Sequence, residues 1–363
     1  MKKGHEYFMK LALQLAAKAN GRTSPNPLVG ALVVKGGRII GRGYHKKAGQ
    51  AHAEVVALDK AGARTKGATL YVTLEPCAHF GRTPPCVDRI IKSGVKKVVV
   101  GMVDPNPVNN GRGIAKLKAY GIKTEVGFLE EELKRLNVVF IKYITKRMPF
   151  VTVKIAESLD GKIATKDGDS KWITSDKSRA FAHRTRSDFD AIMVGVNTII
   201  RDNPKLDAWF SRKHPIKVIT DSHLSTPQNA AVFSGNSPVI IVTLPSRPGQ
   251  ETDNRKALAE KAKIMEVKEK FGQVNLKDMF KKLAQMEITN VLVEGGGTLI
   301  GALFDEGLVD RVMFFISPKV IGGRDSLGSV MGRGISRVDN AFRLKNIKVR
   351  RLAEDILVEG DIK

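Results

Sequence analysis

The sequence between His52 and Cys86 decides how the rest of the chain is interpreted. It begins with His52-Ala53-Glu54, continues through a helix-like and a strand-like segment, and reaches Glu75-Pro76-Cys77. Pro84-Pro85-Cys86 follows, and these are the only two cysteines among the 363 residues. A histidine, a glutamate two residues later and two cysteines that each follow a proline are typical of a zinc site with a separate proton carrier.

A catalytic zinc site has three protein ligands and one open position for water. His52, Cys77 and Cys86 supply three ligands of the preferred type. Glu54 lies in the first turn of the predicted helix that His52 opens, so it can carry a proton beside the metal without binding it. Because zinc makes hydroxide available near neutral pH, this set predicts a hydrolytic deaminase with Glu54 as its catalytic residue.

Two other interpretations of the cysteines stay open. Cys77 and Cys86 can be inert buried thiols, or they can belong to a closed structural zinc site. A closed site needs a fourth ligand, and His45 and His79 are nearby in the sequence. The catalytic interpretation is favoured because a histidine and a glutamate at a helix start occur together with a Pro-Cys pair after a strand.

Composition restricts the class of protein. Lys and Arg outnumber Asp and Glu by 61 to 37, which gives a formal net charge of +24. The excess indicates an anionic partner or a solvated surface, and the spread of lysines along the whole chain favours the second. Aromatic residues make up only 6% of the chain, so a stacking surface for bases is not expected. The charged N-terminus, the two cysteines and the lack of a long apolar run predict a cytoplasmic protein without a disulfide framework or a membrane span.

The length predicts two α/β domains, 1–146 and 147–363, because a helix breaks at Lys146-Arg147-Met148-Pro149. In the first domain the predicted helices are 5–19, 52–61, 85–93, 114–120 and 129–145, and the predicted strands are 28–34, 38–43, 68–74, 95–100 and 122–126. In the second domain strands are predicted at 150–156, 191–194, 216–220, 238–242, 290–293, 311–316 and 343–359, and helices at 176–186, 274–285 and after the glycines at 295–297. Segment 251–270 is predicted to mix helix and loop.

The spacing of the cysteines narrows the family. Nucleic-acid and nucleoside deaminases usually have C-x-x-C, whereas eight residues separate the cysteines here. Residues 75–86, 24–30, 49–54 and 104–107 closely resemble the deaminase half of the bifunctional riboflavin-biosynthesis deaminase/reductase family. The resemblance implies a cytidine-deaminase-like three-layer domain and a phosphorylated diamino-hydroxy-pyrimidine as substrate.

The same resemblance implies which residues of this domain face the substrate. Five positions match the family's substrate motifs, namely Asn26, His79, Arg82, Asp104 and Asn106. Arg82 stands where a lysine is often found, and either cation can meet a phosphate. Without the resemblance, Asn26, Asp104 and Asn106 would be interpreted as turn residues beside prolines.

The second half resembles the reductase half of the same family, notably at 158–164, 190–195 and 202–206. No G-x-G-x-x-G opens a helix after a strand, so a Rossmann domain is not expected. The resemblance implies a dihydrofolate-reductase-like fold that uses NADPH. It puts these residues on the cofactor side: Lys154, Trp172, Thr198, Asp202, Gly296, Gly297 and Thr298. It puts Ser170, Arg186, Leu206 and Glu294 on the substrate side.

Three positions of this half have a second interpretation. Trp172 can be a core aromatic, and Arg186 can be a solvated helix charge. Trp209 stands where the family usually has an arginine, which weakens the expected phosphate contact. Either Arg212, close by in the sequence, replaces that arginine, or the reductase is impaired or altered.

The resemblance implies two consecutive steps of riboflavin biosynthesis. Zinc-dependent deamination of the phosphoribosylamino-pyrimidine is followed by NADPH-dependent reduction of its ribosyl group to ribityl. The expected cofactors are Zn²⁺ and NADPH, and the expected partners are phosphorylated pyrimidines and further copies of the chain, not nucleic acid or a membrane. Two rival functions are a nucleic-acid base deaminase with an accessory binding domain, favoured by the net charge of +24, and a deaminase fused to a non-catalytic, cofactor-sensing domain, favoured by Trp209.

Overall fold

The computed structural model describes residues 4–208, 214–246 and 252–363. The chain divides into two compact units, and the division falls between Met148 and Pro149. The assignment of function to domains 1–146 and 147–363 stays a prediction. Trp209 and Arg212 lie outside the described residues. None of the helices in the described ranges combines the length and apolar character that crossing a bilayer requires.

The first unit is a sheet covered by helices. Its strands are β1 (Gly30–Lys35), β2 (Arg38–Tyr44), β3 (Thr69–Leu74), β4 (Lys97–Met102) and β5 (Lys123–Val126). Its helices are α1 (His5–Ala17), α2 (Ala53–Ala61), α3 (Cys86–Lys92), α4 (Arg112–Ala119), α5 (Glu130–Leu136) and α6 (Val138–Lys146). The strand order is β2-β1-β3-β4-β5, with β1 antiparallel to both neighbours and β3, β4 and β5 parallel.

Apolar runs and small residues explain this packing. Val98, Val99 and Val100 are fully buried in β4, as expected for a parallel strand covered on both faces. Gly30 lets α1 lie close to β1, because a Cβ there would be 2.0 Å from the carbonyl oxygen of Ala12. Apart from the helix predicted at 129–145, the predicted strands and helices of this unit are present, with shifts of a few residues at their ends.

The single helix predicted at 129–145 is wrong, because the structure has two helices, α5 and α6, that are broken at Asn137. Asn137 leaves helical geometry with φ −102° and ψ 19°. Its buried amide accepts from the N–H of Leu28 at 2.8 Å and donates to the carbonyl of Leu28 at 3.1 Å. These two bonds to a distant segment replace helical continuity, and helical periodicity alone could not reveal them.

The second unit is organised around a larger sheet. Its strands are β6 (Phe150–Glu157), β7 (Ala191–Gly195), β8 (Ile216–Thr220), β9 (Val239–Thr243), β10 (Lys263–Glu266), β11 (Glu269–Lys270), β12 (Gln273–Val274), β13 (Asn290–Val293), β14 (Arg311–Ile316), β15 (Leu344–Leu352) and β16 (Asp355–Ile362). Its helices are α7 (Asp176–Thr185), α8 (Val196–Asp202), α9 (Asp253–Ala259), α10 (Leu276–Gln285) and α11 (Gly297–Asp305).

Within the described residues, nine strands form one sheet in the order β10-β9-β8-β7-β13-β6-β14-β16-β15. The first seven strands in this order, from β10 to β14, are parallel to one another. β16 pairs antiparallel with β14, and β15 pairs antiparallel with β16. The carboxyl ends of β7, β8 and β13 therefore meet at one edge, where parallel sheets commonly bind ligands.

The structure corrects two sequence predictions for this unit and adds one helix that the sequence did not predict. Helix α8 was not predicted, because its seven residues follow a strand without a break. The described part of segment 251–270 contains β10 and β11 besides α9. The stretch 343–359 is not one strand but most of the hairpin β15–β16, which turns at Ala353 with φ +57°.

Candidate active sites

Three side chains that can hold a metal converge in the first unit. His52 is the residue before α2, Cys77 follows β3, and Cys86 is the first residue of α3. Their ligand atoms all lie within 4.8 Å of one another, and His52 Nδ1 is 3.1 Å from Cys86 Sγ and 3.7 Å from Cys77 Sγ. Zinc bonds of about 2.0–2.3 Å place tetrahedral ligand atoms about 3.5 Å apart. The donor set and its spacing therefore fit zinc.

The pKa values of the two thiols are shifted in opposite directions. The hydrogen bond from the Cys86 thiol, together with His52, lowers the pKa of Cys77 to about 4, although burial opposes this. The same hydrogen bond and burial raise the pKa of Cys86 well above its usual value. Cys77 Sγ also accepts from the backbone N–H of Cys86 at 3.3 Å. These contacts favour the thiolate form of Cys77, which is the form that binds a metal.

Glu54 has the properties of a proton carrier. Its side chain is 4% exposed in the first turn of α2, two residues from His52. Burial raises the pKa of Glu54 to about 7, although the nearby His52 opposes the shift. A carboxyl group with a pKa near 7 can accept and release a proton at neutral pH.

Two neighbours of His52 define its role: Thr83, which the sequence did not indicate, and His45, which the sequence offered only as a possible fourth ligand. With Nδ1 facing the sulfur atoms, the Nε2–H of His52 donates to Thr83 Oγ1 at 3.2 Å, which fixes the ring as a ligand. His45 donates from Nδ1 to the carbonyl of Ala51 at 3.3 Å and accepts at Nε2 from the Asn26 amide at 3.0 Å. Both nitrogens of His45 are therefore engaged, and among the described residues the ligand group has three members. His45 does not close the site as a fourth ligand.

The residues that match the substrate motifs lie around this group. Asn26 contacts His45 as described above. His79 is not part of the ligand group, and its buried Nδ1 has no hydrogen-bond partner among the described residues. Burial raises the pKa of Asp104 to about 6, and its Oδ1 accepts from the N–H of Asn106 at 2.9 Å. Arg82 is exposed, so its side chain is accessible to an anion.

Asn109, for which the sequence offered no motif, connects the metal loop to Asp104. The fully buried amide of Asn109 accepts from the N–H of Ala78 at 2.9 Å. It donates to the carbonyl of Pro76 at 3.3 Å and to Asp104 Oδ2 at 3.2 Å. Because Pro76 and Ala78 flank Cys77, the one amide of Asn109 fixes the position of a metal ligand relative to the carboxylate of Asp104.

Replacement of Asn109 by alanine should destabilise the first unit by about 1–3 kcal/mol, because three buried polar groups lose their partner. The temperature of half-inactivation of the deaminase should fall, while the reductase activity of the same molecules should stay unchanged. The exposed neighbour Asn110 provides the control, since Asn110→Ala removes an amide outside the core. Equal inactivation temperatures for the two variants would show that Asn109 has no such role.

In the second unit, four predicted or neighbouring side chains form a charged cluster. Arg186 donates from Nε to Glu294 Oε1 at 2.7 Å and from its second nitrogen to Oε2 at 2.9 Å. Lys154 Nζ lies 3.9 Å from Glu294 Oε2, and His183 Nδ1 lies 3.0 Å from the Arg186 guanidinium. Arg186 is 8% exposed, so the interpretation as a solvated helix charge is wrong. Burial alone would raise the pKa of Glu294, but Arg186 and Lys154 lower it to about 2.

A cavity of about 750 Å³ lies at the carboxyl ends of β7 and β8 and beside α11. Its lining includes Thr198, Gly296 and Thr298, three of the expected cofactor-side residues. The volume falls in the range of cofactor sites in proteins. Gly297 lies close to the backbone of Gly328, because a Cβ at position 297 would be 2.3 Å from the carbonyl oxygen of Gly328.

The remaining predicted residues lie outside the lining of this cavity. Trp172 is 62% exposed with Arg179 over its ring at 4.3 Å, so the interpretation as a core aromatic is wrong. Asp202 is exposed at the end of α8, and Ser170 is half-buried in the loop before α7. The Leu206 side chain is buried in the core, its backbone has a φ of +56°, and its place on the substrate side stays a prediction.

Comparisons with known proteins agree with both units. Residues 2–102 match the cytidine and deoxycytidylate deaminase zinc-binding region, and residues 149–358 match the RibD C-terminal domain. Riboflavin biosynthesis protein RibD of Aquifex aeolicus is 47% identical over 97% of this chain and 96% of its own length. The zinc-binding region and the reductase domain account for the two expected cofactors, Zn²⁺ and NADPH.

Two solved structures match nearly the whole chain. Acinetobacter baumannii RibD has a TM-score of 0.88 at 35% identity, with 99% of each chain covered. A diaminohydroxyphosphoribosylaminopyrimidine deaminase/5-amino-6-(5-phosphoribosylamino)uracil reductase from Thermotoga maritima has a TM-score of 0.85 at 39% identity, again with 99% of each chain covered. The expected fold class, a deaminase-like domain followed by a reductase domain, is confirmed. The chain belongs to the RibD family of riboflavin biosynthesis proteins.

Proposed function

We propose that the chain carries out two consecutive steps on one phosphorylated pyrimidine, deamination in the first unit and reduction in the second. The observation that carries this proposal is the convergence of His52, Cys77 and Cys86 beside the buried Glu54. The chain is a bifunctional hydrolase and oxidoreductase of riboflavin biosynthesis, as its family membership indicates. Residues 1–146 are assigned to the first activity and residues 147–363 to the second.

In the deaminase, His52, Cys77 and Cys86 would hold zinc. Zinc, when bound, lowers the pKa of water and supplies hydroxide near neutral pH. Glu54 accepts the first proton that water releases and passes it to the ring nitrogen. It then carries the second proton, from the new hydroxyl group on the ring carbon, to the amino group that leaves as ammonia, and a pKa near 7 suits both transfers. Thr83 holds the imidazole of His52 in place through its hydroxyl.

The substrate side of the deaminase consists of Asn26, His79, Arg82, Asp104 and Asn106. The buried Nδ1 of His79, which has no hydrogen-bond partner in the described part of the chain, offers a hydrogen-bonding atom to the ring or ribose. The exposed guanidinium of Arg82 suits the phosphate, since arginine binds phosphate with paired hydrogen bonds.

In the reductase, the cavity lined by Thr198, Gly296 and Thr298 would hold NADPH. Lys154, Trp172, Asp202 and Gly297 complete the cofactor side of this proposal, and Ser170, Arg186, Leu206 and Glu294 form the substrate side. NADPH, when bound, supplies the hydride that opens the ribose to ribityl. The glycine backbone before α11 lets phosphate approach the helix N-terminus.

Product analysis tests both activities at once. The purified chain with zinc should convert the diamino-pyrimidine substrate to its deaminated product without NADPH. Addition of NADPH should give the ribityl product and one oxidised cofactor per molecule. A deaminated product that accumulates unchanged with NADPH would favour the non-catalytic, cofactor-sensing rival for the second unit.

We also propose that the chain acts in the cytoplasm, where the two cysteines stay reduced, and that it does not bind nucleic acid. Retention of RNA that falls steeply with salt, together with base editing, would support the rival deaminase instead.

We propose that copies of the chain associate through β15. This edge strand exposes Ile347 and Val349, at 58% and 64%, and a long exposed edge with apolar residues is prone to pairing. Light scattering should give a multiple of the 39.7 kDa chain mass, and Val349→Lys should reduce it to the monomer value.

A further inference from the structure

Lys217 carries a charge on an inner strand of the second unit's sheet, and the proposed function gives it no role. It lies in β8, between β7 and β9, and its side chain is 0% exposed. Its ammonium donates to the carbonyls of Val232 and Ser234 at 3.0 Å each and pairs with Asp207 Oδ1 at 3.0 Å. A lysine ammonium has three hydrogens, so these three acceptors satisfy it fully.

Asp207 belongs to the segment that carries expected reductase residues. It follows Leu206 directly, and its backbone carbonyl accepts from Arg186 at 2.8 Å. Arg186 in turn binds Glu294 through two hydrogen bonds. The side chain of Asp207 is thus held by Lys217 and its backbone by the charged cluster.

The rest of this segment is attached to the same neighbouring turn. Asn203 Oδ1 accepts from the N–H of Ala231 at 2.7 Å. Lys217 holds the carbonyls just beyond that residue, and the Leu206 side chain packs in one cluster with Val232. Residues 203–207 are therefore held by contacts of Asn203, Leu206 and Asp207.

An ammonium with no exposure is costly to bury unless it is paired. A core residue that only filled space on β8 would be apolar, like the fully buried Val218 and Ile219 beside it. The charge of Lys217 instead gives the fold one strong, directional bond to Asp207. Asp207 is itself 40% exposed, so its side chain can be changed without opening the core.

We propose that Lys217 and Asp207 form a positioning pair that holds the Leu206 backbone and the Arg186 guanidinium in the geometry needed to bind the pyrimidine substrate of the reductase. This inference rests on the proposed reductase function. The pair does not touch the cofactor cavity, whose lining contains neither residue. It therefore acts on the affinity for the deaminated pyrimidine and not on that for NADPH.

Asp207→Ala in the full-length chain tests the pair. We expect the KM for the deaminated substrate to rise about tenfold, the size of one charge-assisted hydrogen bond, with kcat changed by less than about threefold. The Kd of NADPH, measured by its fluorescence, and the deaminase rate should stay within about twofold of wild type. Asp207→Asn, which can still accept from Lys217, should recover part of the KM. Glu260→Ala, at an exposed carboxylate after α9, should match wild type throughout.

Two results would overturn the inference while leaving the proposed function intact. One is an unchanged KM in an Asp207→Ala enzyme that still reduces its substrate. The other is a loss of NADPH affinity as large as the rise in KM, which would indicate general loosening of the unit. A wild-type chain that binds NADPH but never oxidises it would instead reject the reductase function, and the pair's role would be rejected with it.

Discussion

Glu54→Gln should lower the rate of deamination about 10²- to 10⁴-fold while zinc stays bound, because it removes a proton carrier and leaves every ligand in place. Glutamine has nearly the same shape as glutamate but cannot accept the proton from water. Zinc content measured on the purified variant should stay near one ion per chain, since His52, Cys77 and Cys86 are intact. The same preparation should still reduce the deaminated pyrimidine with NADPH.

Asp59→Asn is the matched control for this experiment. Asp59 lies in the same helix, α2, but its side chain is 55% exposed and pairs with Arg89 at the surface. We expect that variant to deaminate normally. Normal deamination by Glu54→Gln would remove Glu54 from the reaction, and loss of zinc together with activity would assign it a structural role.

Glu294→Ala should destabilise the second unit by about 3–5 kcal/mol, the usual cost of leaving one partner of a buried ion pair alone. The Glu294 side chain is 8% exposed and that of Arg186 is 10% exposed, so water cannot easily replace the lost carboxylate. Both tryptophans of the chain, at positions 172 and 209, belong to this half. Urea unfolding followed by tryptophan fluorescence therefore reports on this unit. An unchanged urea midpoint would show that the pair is not a source of stability.

The carboxyl group of Glu294 also makes the stability of the second unit depend on pH. Its pKa is near 2 in the folded chain against an ordinary 4.5, so its contribution is fully present above about pH 4.5 and is lost as the pH falls toward 2. Wild type should therefore lose urea resistance over that range more steeply than Glu294→Ala. Glu294→Gln retains an acceptor for Arg186 and should lie between the two in stability at neutral pH.

Much of the fold follows from local sequence. Buried strands such as β3 and β4 can be predicted because they are continuous apolar runs. Helices such as α2 can be predicted because capping residues mark where they begin and end. The break at Asn137 and the short helix α8 were missed because tertiary contacts, or a direct continuation from a strand, decide them. No local pattern encodes the amide of Asn137 meeting the backbone of Leu28.

The candidate sites divide in the same way. His52, Glu54, Cys77 and Cys86 were named from spacing, because zinc chemistry demands particular side chains near particular backbone turns. Three residues, Asn109, Thr83 and Lys217, support functional groups from positions where many residue types could stand. Nothing in the local sequence therefore distinguishes them. The cluster of Arg186 with Glu294 joins residues 108 positions apart, and only the sheet order brings them together.

The break at Asn137 also determines where the chain can be divided for separate expression. The match to the zinc-binding region ends at residue 102, yet Leu133 in α5 is fully buried and lies where a Cβ on Gly101 would be 2.1 Å from its methyl group. Asn137 in turn holds the backbone of Leu28, close to Asn26. A fragment cut at residue 102 or 126 would lose this support, whereas one that ends at Met148 retains every contact described for the zinc site. A stand-alone deaminase should therefore be designed from the position of one buried amide, not from the end of the recognisable motif.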